Sequence, residues 1–196
     1  MHNSNNFKMK TLETSRCILR PISLEDAPYL FDYYQKDIVV KYLPFKPHKT
    51  ISDTKKFIKL FFLKNYKEGK IGHYAIVLKE ENVVVGNVGF NNISPSSKEG
   101  EMGICINPYY WGYNLSTELA KEMIRYGFED LGLQKIFAIT FEDNKYSQKP
   151  LEVLGFNYIK TFNKKLYSKN QYVKCHRYEM LRSSYIKNKP KLNKKG

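Results

Sequence analysis

The chain has 196 residues, 42% apolar and 15% aromatic, with a formal net charge of +14 at pH 7. That length suits one α/β domain with a proper core, and that apolar content excludes a disordered chain. Three cysteines, Cys17, Cys105 and Cys175, and four scattered histidines give neither a disulfide framework nor a metal spacing, which points to a reducing, cytoplasmic setting and to no metal.

Residues 1–10 are polar and are expected to be loosely held, and the opening MHNSNNFK carries no apolar signal region. Cys17 to Arg20 reads as a first strand. Ser23-x-x-Asp26 resembles a capping box and opens a helix to about Tyr34. VVKYLPFKPHKT, with Pro44 and Pro47, reads as a loop. Thr50-x-x-Asp53 opens a second helix with Phe57, Ile58, Phe61 and Phe62 on its apolar side, ending near Gly69. Its FIKLFFL run is interrupted by Lys59 and is too short to span a bilayer. Strands at 72–79 and 83–91 join through Glu80, Glu81 and Asn82 as a hairpin, and SPSSKEG forms the next loop.

The stretch 101–156 organises the rest. Met102, Ile104 and Ile106 alternate with Glu101, Gly103 and Cys105 in a strand period that Pro108 ends. After YYWGYN, Leu115, Leu119, Met123, Tyr126 and Leu131 share one face of a helix that Gly132 stops. A strand at 135–141 is rich in β-branched and aromatic residues, and Asn144 is placed to cap a helix running to Gly155. A hairpin, 158–167 and 172–181, closes the fold. The count is about seven strands and four helices in one domain, 11–182, with a basic tail, 183–196, read as disordered.

A strand that leads through a loop into a helix presents the helix N-terminus, whose first N–H groups lack intrahelical partners and attract anions. WGYNLST supplies Gly112, with Asn114, Ser116 and Thr117 as polar contacts, so a phosphate or pyrophosphate is the natural guest. The +14 charge is spread along the chain, densest in KNKPKLNKKG, without a nucleic-acid motif. Lysine-rich solvated faces account for it better than nucleic-acid binding as the main role.

These motifs at these spacings resemble the acetyl-CoA core of the GNAT N-acetyltransferases, in particular the RimJ/RimL-type branch of ribosomal-protein N-terminal acetyltransferases. Trp111, Gly112, Tyr113, Asn114, Leu115, Ser116, Thr117 and Glu118 match that branch's W-G-x-G-x-[AS]-T-E loop. Tyr126, Phe128, Leu131, Gly132 and Leu133 match Y-x-F-x-x-L-G-L, and Asn144, Ser147, Leu154, Gly155 and Phe156 match N-x-x-S followed by x-L-G-F. Arg16 to Pro21, with Ser23 to Asp26, fits the opening L-R-P strand and first helix. The resemblance covers about residues 11–181.

It implies an α/β acyltransferase fold around a central mixed, mostly antiparallel sheet, and acetyl transfer from acetyl-CoA to a primary amine through a ternary complex. The attacking amine must be neutral, although an α-amine has a reference pKa of about 8 and a lysine about 10.4, so a carboxylate must take its proton, directly or through water. Glu101 is carried over from the family's A-E-I-G-Y strand as that base. An exposed strand-end ion pair is the competing reading, and Glu99, two residues earlier on the same face, is the rival base. Further implied roles are pantetheine pairing along Ile104, Cys105 and Ile106, and an oxyanion donor from the backbone at 105–107. Pyrophosphate would sit on the amides of 112–117, Asn144 would hold the pantetheine, and Ser147 would line the thioester pocket. Tyr42, Leu43, Phe45 and Phe61 are candidates to shape the acceptor site, or simply core.

Two positions depart from the family. Asn114 replaces the second loop glycine, and Leu151 stands where many members place a tyrosine that protonates the leaving sulfur. Asn tolerates the left-handed backbone. A thiol with a pKa near 8.5 leaves readily, with Ser147 or water as the proton source. A covalent acetyl-Cys105 route lacks a histidine nearby in sequence, and Cys105 reads instead as a small core residue. The leading acceptor is a protein or peptide N-terminal amine. The alternatives are a small-molecule amine such as a polyamine, amino acid or aminoglycoside, or a non-catalytic CoA- or nucleic-acid-binding module. No membrane partner is expected, and a homodimer is suggested by family habit alone.

Overall fold

The computed structural model describes residues 9–193, so the expectation for 1–8 lies outside the described residues, as do 194–196. Eight strands form one sheet in the order β1-β2-β3-β4-β5-β6-β8-β7. They are β1 (Leu12–Glu13), β2 (Cys17–Pro21), β3 (His73–Leu78), β4 (Val83–Ser94), β5 (Glu99–Ile106), β6 (Lys135–Phe141), β7 (Asn157–Leu166) and β8 (Gln171–Leu181). The strand beyond the expected seven is the two-residue β1, too short to leave a periodic signal. Every neighbouring pair is antiparallel except β5 and β6.

The helices are α1 (Ala27–Tyr34), α2 (Asp37–Val40), α3 (Ile51–Phe57), α4 (Lys64–Lys67), α5 (Leu115–Arg125), α6 (Lys145–Val153) and α7 (Arg182–Asn193). Both capping boxes form as read, Ser23 with Asp26 and Thr50 with Asp53. The buried Asp26 carboxylate also accepts two bonds from the Arg20 guanidinium, at 2.7 and 2.8 Å. Ile58–Leu63 joins α3 to α4 with wider π-type turns, and Tyr126–Asp130 extends α5 the same way. α2 runs into the segment read as a loop, ending on its first two residues, Val39 and Val40: four residues carry too few turns to show a period.

The two sheet faces are covered by different helices. Leu115, Leu119 and Met123 of α5, Leu151 of α6 and Leu154 just after it pack with Tyr74, Val88, Phe90 and Met102. Leu30, Tyr33 and Tyr34 of α1, with Ile58 and Phe62, pack with Ala75, Val77 and Val84.

Two expectations need correction. β5 opens at Glu99, so Glu101 lies inside the strand and not at its end. Residues 182–193 form a helix and not a disordered tail. Tyr185 supplies the anchor that composition hides. It is buried, stacks on Phe128 at 5.0 Å and donates to Glu129 at 2.5 Å, while Lys189 pairs with Glu129 at 2.6 Å.

Candidate active site

β5 and β6 pair only at Glu99–Lys135, Gly100–Ile136 and Glu101–Phe137. Beyond that point β5 continues along β4 and β6 along β8, so the two strands part and open a cleft in the sheet. Glu101 stands at the last paired position. Ile104, Cys105 and Ile106 follow it along the parted stretch of β5. Ile104 and Ile106 belong to the α5 side and Cys105 to the α1 side. Burial pushes the Cys105 thiol up to about 12, which leaves it protonated and fits a core role.

The loop after β5 is fixed at three points. Trp111, half-exposed, donates its indole N–H to the Ile106 carbonyl at 2.8 Å. The Tyr110 hydroxyl donates to Glu81 at 2.7 Å. Arg16 donates to the Tyr113 carbonyl at 2.9 Å. Gly112 takes φ +87°, and a side chain there would meet nothing within 4 Å, so conformation and not crowding calls for glycine and the loop stays open on that side. Asn114 takes φ +56° in the left-handed region and gives α5 no side-chain cap. Below it the first-turn amides of α5, Leu115, Ser116 and Thr117, have no intrahelical partner by geometry and could receive an anion.

Glu118 explains the acid at the end of this loop motif. It accepts from the Ser15 hydroxyl and the Arg16 N–H, both at 2.9 Å, and from the Arg16 side chain at 2.6 Å. Burial opposes its charge, yet hydrogen bonds from Thr14, Arg16 and Ser15 hold the carboxyl down at about 2. Arg16 therefore ties the start of β2 to both the loop before α5 and the first turn of α5. Arg16 and Glu118 sit in separate motifs of the sequence, and only the fold joins them across about half of the chain.

Asn144 caps α6. It accepts from the Ser147 N–H at 3.3 Å and donates to the Ser147 hydroxyl at 2.9 Å, so the two side chains act as one unit, with Ser147 exposed. Gln148, which the sequence did not single out, is buried and donates to the carbonyls of Phe141 and Glu142 at 2.9 and 3.0 Å, fixing the end of β6 beside the cleft.

The two candidate bases separate clearly. Glu99 lies 2.9 Å from Lys135 and 3.8 Å from Arg177, in a cluster that also includes Glu179. Glu101 instead accepts from the Asn91 amide at 3.0 Å. The four acceptor-site candidates also separate. Tyr42 sits edge-on to Phe141 at 6.0 Å and lines a cavity of about 350 Å³ with Lys41, Glu142, Asp143 and Lys174. Leu43 and Phe45 pack into the α1 cluster, and Phe61 is exposed, stacked on Phe57 at 4.5 Å. The β7–β8 turn holds this region in place: the Ser168 hydroxyl donates to the Pro44 carbonyl at 2.5 Å and Lys169 to the Val40 carbonyl at 2.7 Å.

A parted parallel strand pair beside an anion-binding helix terminus suits a long, phosphate-bearing thioester. Comparison with known proteins agrees. The acetyltransferase (GNAT) domain family matches residues 16–157, and the chain belongs to that family. An uncharacterized N-acetyltransferase, p20 of Bacillus licheniformis, is 33% identical over 148 residues, 76% of this chain and 83% of that protein. The spermidine N(1)-acetyltransferase of Escherichia coli K12 is 27% identical over 139 residues, 71% of this chain and 72% of that protein. The solved structure of RimL, a ribosomal L7/L12 alpha-N-protein acetyltransferase in complex with coenzyme A, superposes with a TM-score of 0.78 at 16% identity. The match covers 89% of this chain and 99% of that one. The protein is an acetyl-CoA-dependent N-acetyltransferase. No helix among the described residues is long and apolar enough to cross a membrane.

Proposed function

We propose that this N-acetyltransferase modifies a protein or peptide N-terminal amine, with Glu101 as the base that takes the amine's proton. The observation that carries the base is its position: Glu101 stands where β5 and β6 part and, among the described residues, has no cation within ion-pair distance, whereas Glu99 is held by Lys135 and Arg177. Those two cations occupy the Glu99 carboxylate, which leaves Glu101 free to meet an incoming amine. Acetyl-CoA supplies the activated acetyl group. The amides of Gly112 to Thr117 hold its pyrophosphate, the parted edge at Ile104 to Ile106 aligns the pantetheine, and Asn144 with Ser147 lines the thioester end.

The acceptor reading rests on the cavity beside Tyr42. Its carboxylates are matched by lysines, Asp143 with Lys41 at 3.7 Å and Glu142 with Lys174 at 4.0 Å. That lining offers a polycation little net attraction, and the +14 charge adds repulsion. A peptide N-terminus carries a single amine and needs no acidic trough. The second reading, a small-molecule amine, is favoured by the 27% identity to a spermidine acetyltransferase. CoA release is to be measured with acetyl-CoA against N-terminal peptides, spermidine and aminoglycosides, beside Glu101→Gln. The expected result is turnover on peptides that falls about 100-fold or more in the variant while acetyl-CoA still binds. Turnover confined to spermidine would establish the second reading, and full activity of Glu101→Gln would remove the base.

A further inference from the structure

Behind Glu101 runs a line of polar side chains that the reaction as described does not use. Asn91 donates to Glu101 Oε1 at 3.0 Å, and its Oδ1 lies 2.8 Å from His73 Nε2. His73 Nδ1 lies 2.8 Å from Asn87 Nδ2, and Asn87 Oδ1 receives the hydroxyls of Tyr33 and Tyr34 at 2.9 and 2.8 Å. His73 and Asn87 are buried, and both tyrosines are closed off from solvent under α1.

The direction of every bond follows from the charge at one end. An ionised carboxylate only accepts, so Asn91 must turn its NH₂ toward Glu101 and its oxygen toward His73. His73 must then carry its proton on Nε2. With Nδ1 bare, Asn87 must present its NH₂ there, which leaves its oxygen for the two tyrosines. Burial pulls the His73 imidazole down to about 4, against the contrary pull of Asn91, so the ring is neutral at pH 7 as the chain requires.

The backbone is shaped for this line. β4 pairs Phe90 with Met102 and Asn92 with Glu101, so Asn91 is the extra residue of a bulge, a device that re-aims a side chain. A methyl group on Gly103 would approach the Asn91 amide to 3.1 Å, and one on Gly89 would strike the His73 Cα at 2.5 Å. Two amides in series pass no proton along, so the line is not a proton wire. Its donors all point the same way and reinforce one another at the carboxylate.

We infer that His73, acting through Asn91 and anchored by Asn87 and the Tyr33–Tyr34 pair, is a positioning residue that fixes the orientation of Glu101 for proton abstraction. This rests on the reading of Glu101 as the base. Misplacing a reacting group by about 1 Å costs on the order of 100-fold in rate, so the expected loss in His73→Phe is roughly 10- to 100-fold in kcat with little change in KM for acetyl-CoA.

The test uses the full chain in two arms. Nitrogen-15 NMR of the His73 ring at pH 7 is expected to show a protonated Nε2 and a bare Nδ1, with resonances that move in Glu101→Gln and stay in Glu99→Gln. Kinetics follow acetyl-CoA with a serine-initiated peptide and with spermidine. His73→Phe and Asn91→Leu are expected to lower kcat in the wild-type background and to add no loss in Glu101→Gln. His73→Gln, which offers Asn91 a donor and Asn87 an acceptor, is expected to recover most of the rate. An imidazolium or an Nδ1–H ring overturns the inference, as does unchanged kcat in a His73→Phe protein with a native unfolding midpoint, or an equal loss in both backgrounds. Full turnover in Glu101→Gln would instead remove the base, while the response of the His73 ring to Glu101 would persist.

Discussion

Glu99 and Glu101 share a side chain and one face of β5, and the sequence could only rank them. Their separation comes from Lys135 on β6 and Arg177 on β8, which reach Glu99 and leave Glu101 to Asn91. Burial pushes the Cys105 thiol up to about 12, which keeps it protonated at pH 7 and disfavours it as a nucleophile. Cys105→Ala is therefore expected to keep acetyl transfer within about three-fold, and intact mass after incubation with acetyl-CoA is expected to show no acetyl adduct on the wild-type chain. His73 was legible only as one of four scattered histidines, because its partners Asn87 and Asn91 lie on another strand and its tyrosines on α1.

At the level of elements, the loop between β5 and α5 was the most legible part of the chain. Gly112 and Asn114 both adopt positive φ, as an anion-binding turn needs, and the asparagine does so in place of a glycine. A β-branched residue there would carry a left-handed penalty of about 1–2 kcal/mol. Asn114→Val is expected to weaken acetyl-CoA binding by about 5- to 30-fold by calorimetry, that penalty expressed as affinity, and Asn114→Gly to stay within a few-fold. α2 and β1 were missed or merged because four and two residues hold no period. α7 was missed for a different reason: its sequence is basic and weakly patterned, and Tyr185 with Lys189 seats it on the π-type extension of α5.

Across the whole molecule, the Arg16–Glu118 contact ties β2 to the loop 111–114 and to the helix α5, the proposed seat of the phosphates of acetyl-CoA. Glu118 is held at about 2 when folded against an ordinary value of 4.5. A depressed carboxylate adds stability that is fully present above its unfolded pKa and lost as pH falls toward its folded one. Stability is therefore expected to decline between about pH 4.5 and 2 by about 1–2 kcal/mol from this group after solvent screening. Urea unfolding across that range is expected to show a shallower pH dependence in Glu118→Gln. By itself the sequence determined the strands, the caps, the left-handed turn before α5 and the acetyltransferase family, because periodicity, capping residues and loop motifs are local and survive in a linear string. The tertiary structure alone decided which glutamate is ion-paired, how the loop before α5 is clamped and what stands behind Glu101. Those depend on charges and amides that meet only when distant strands pair.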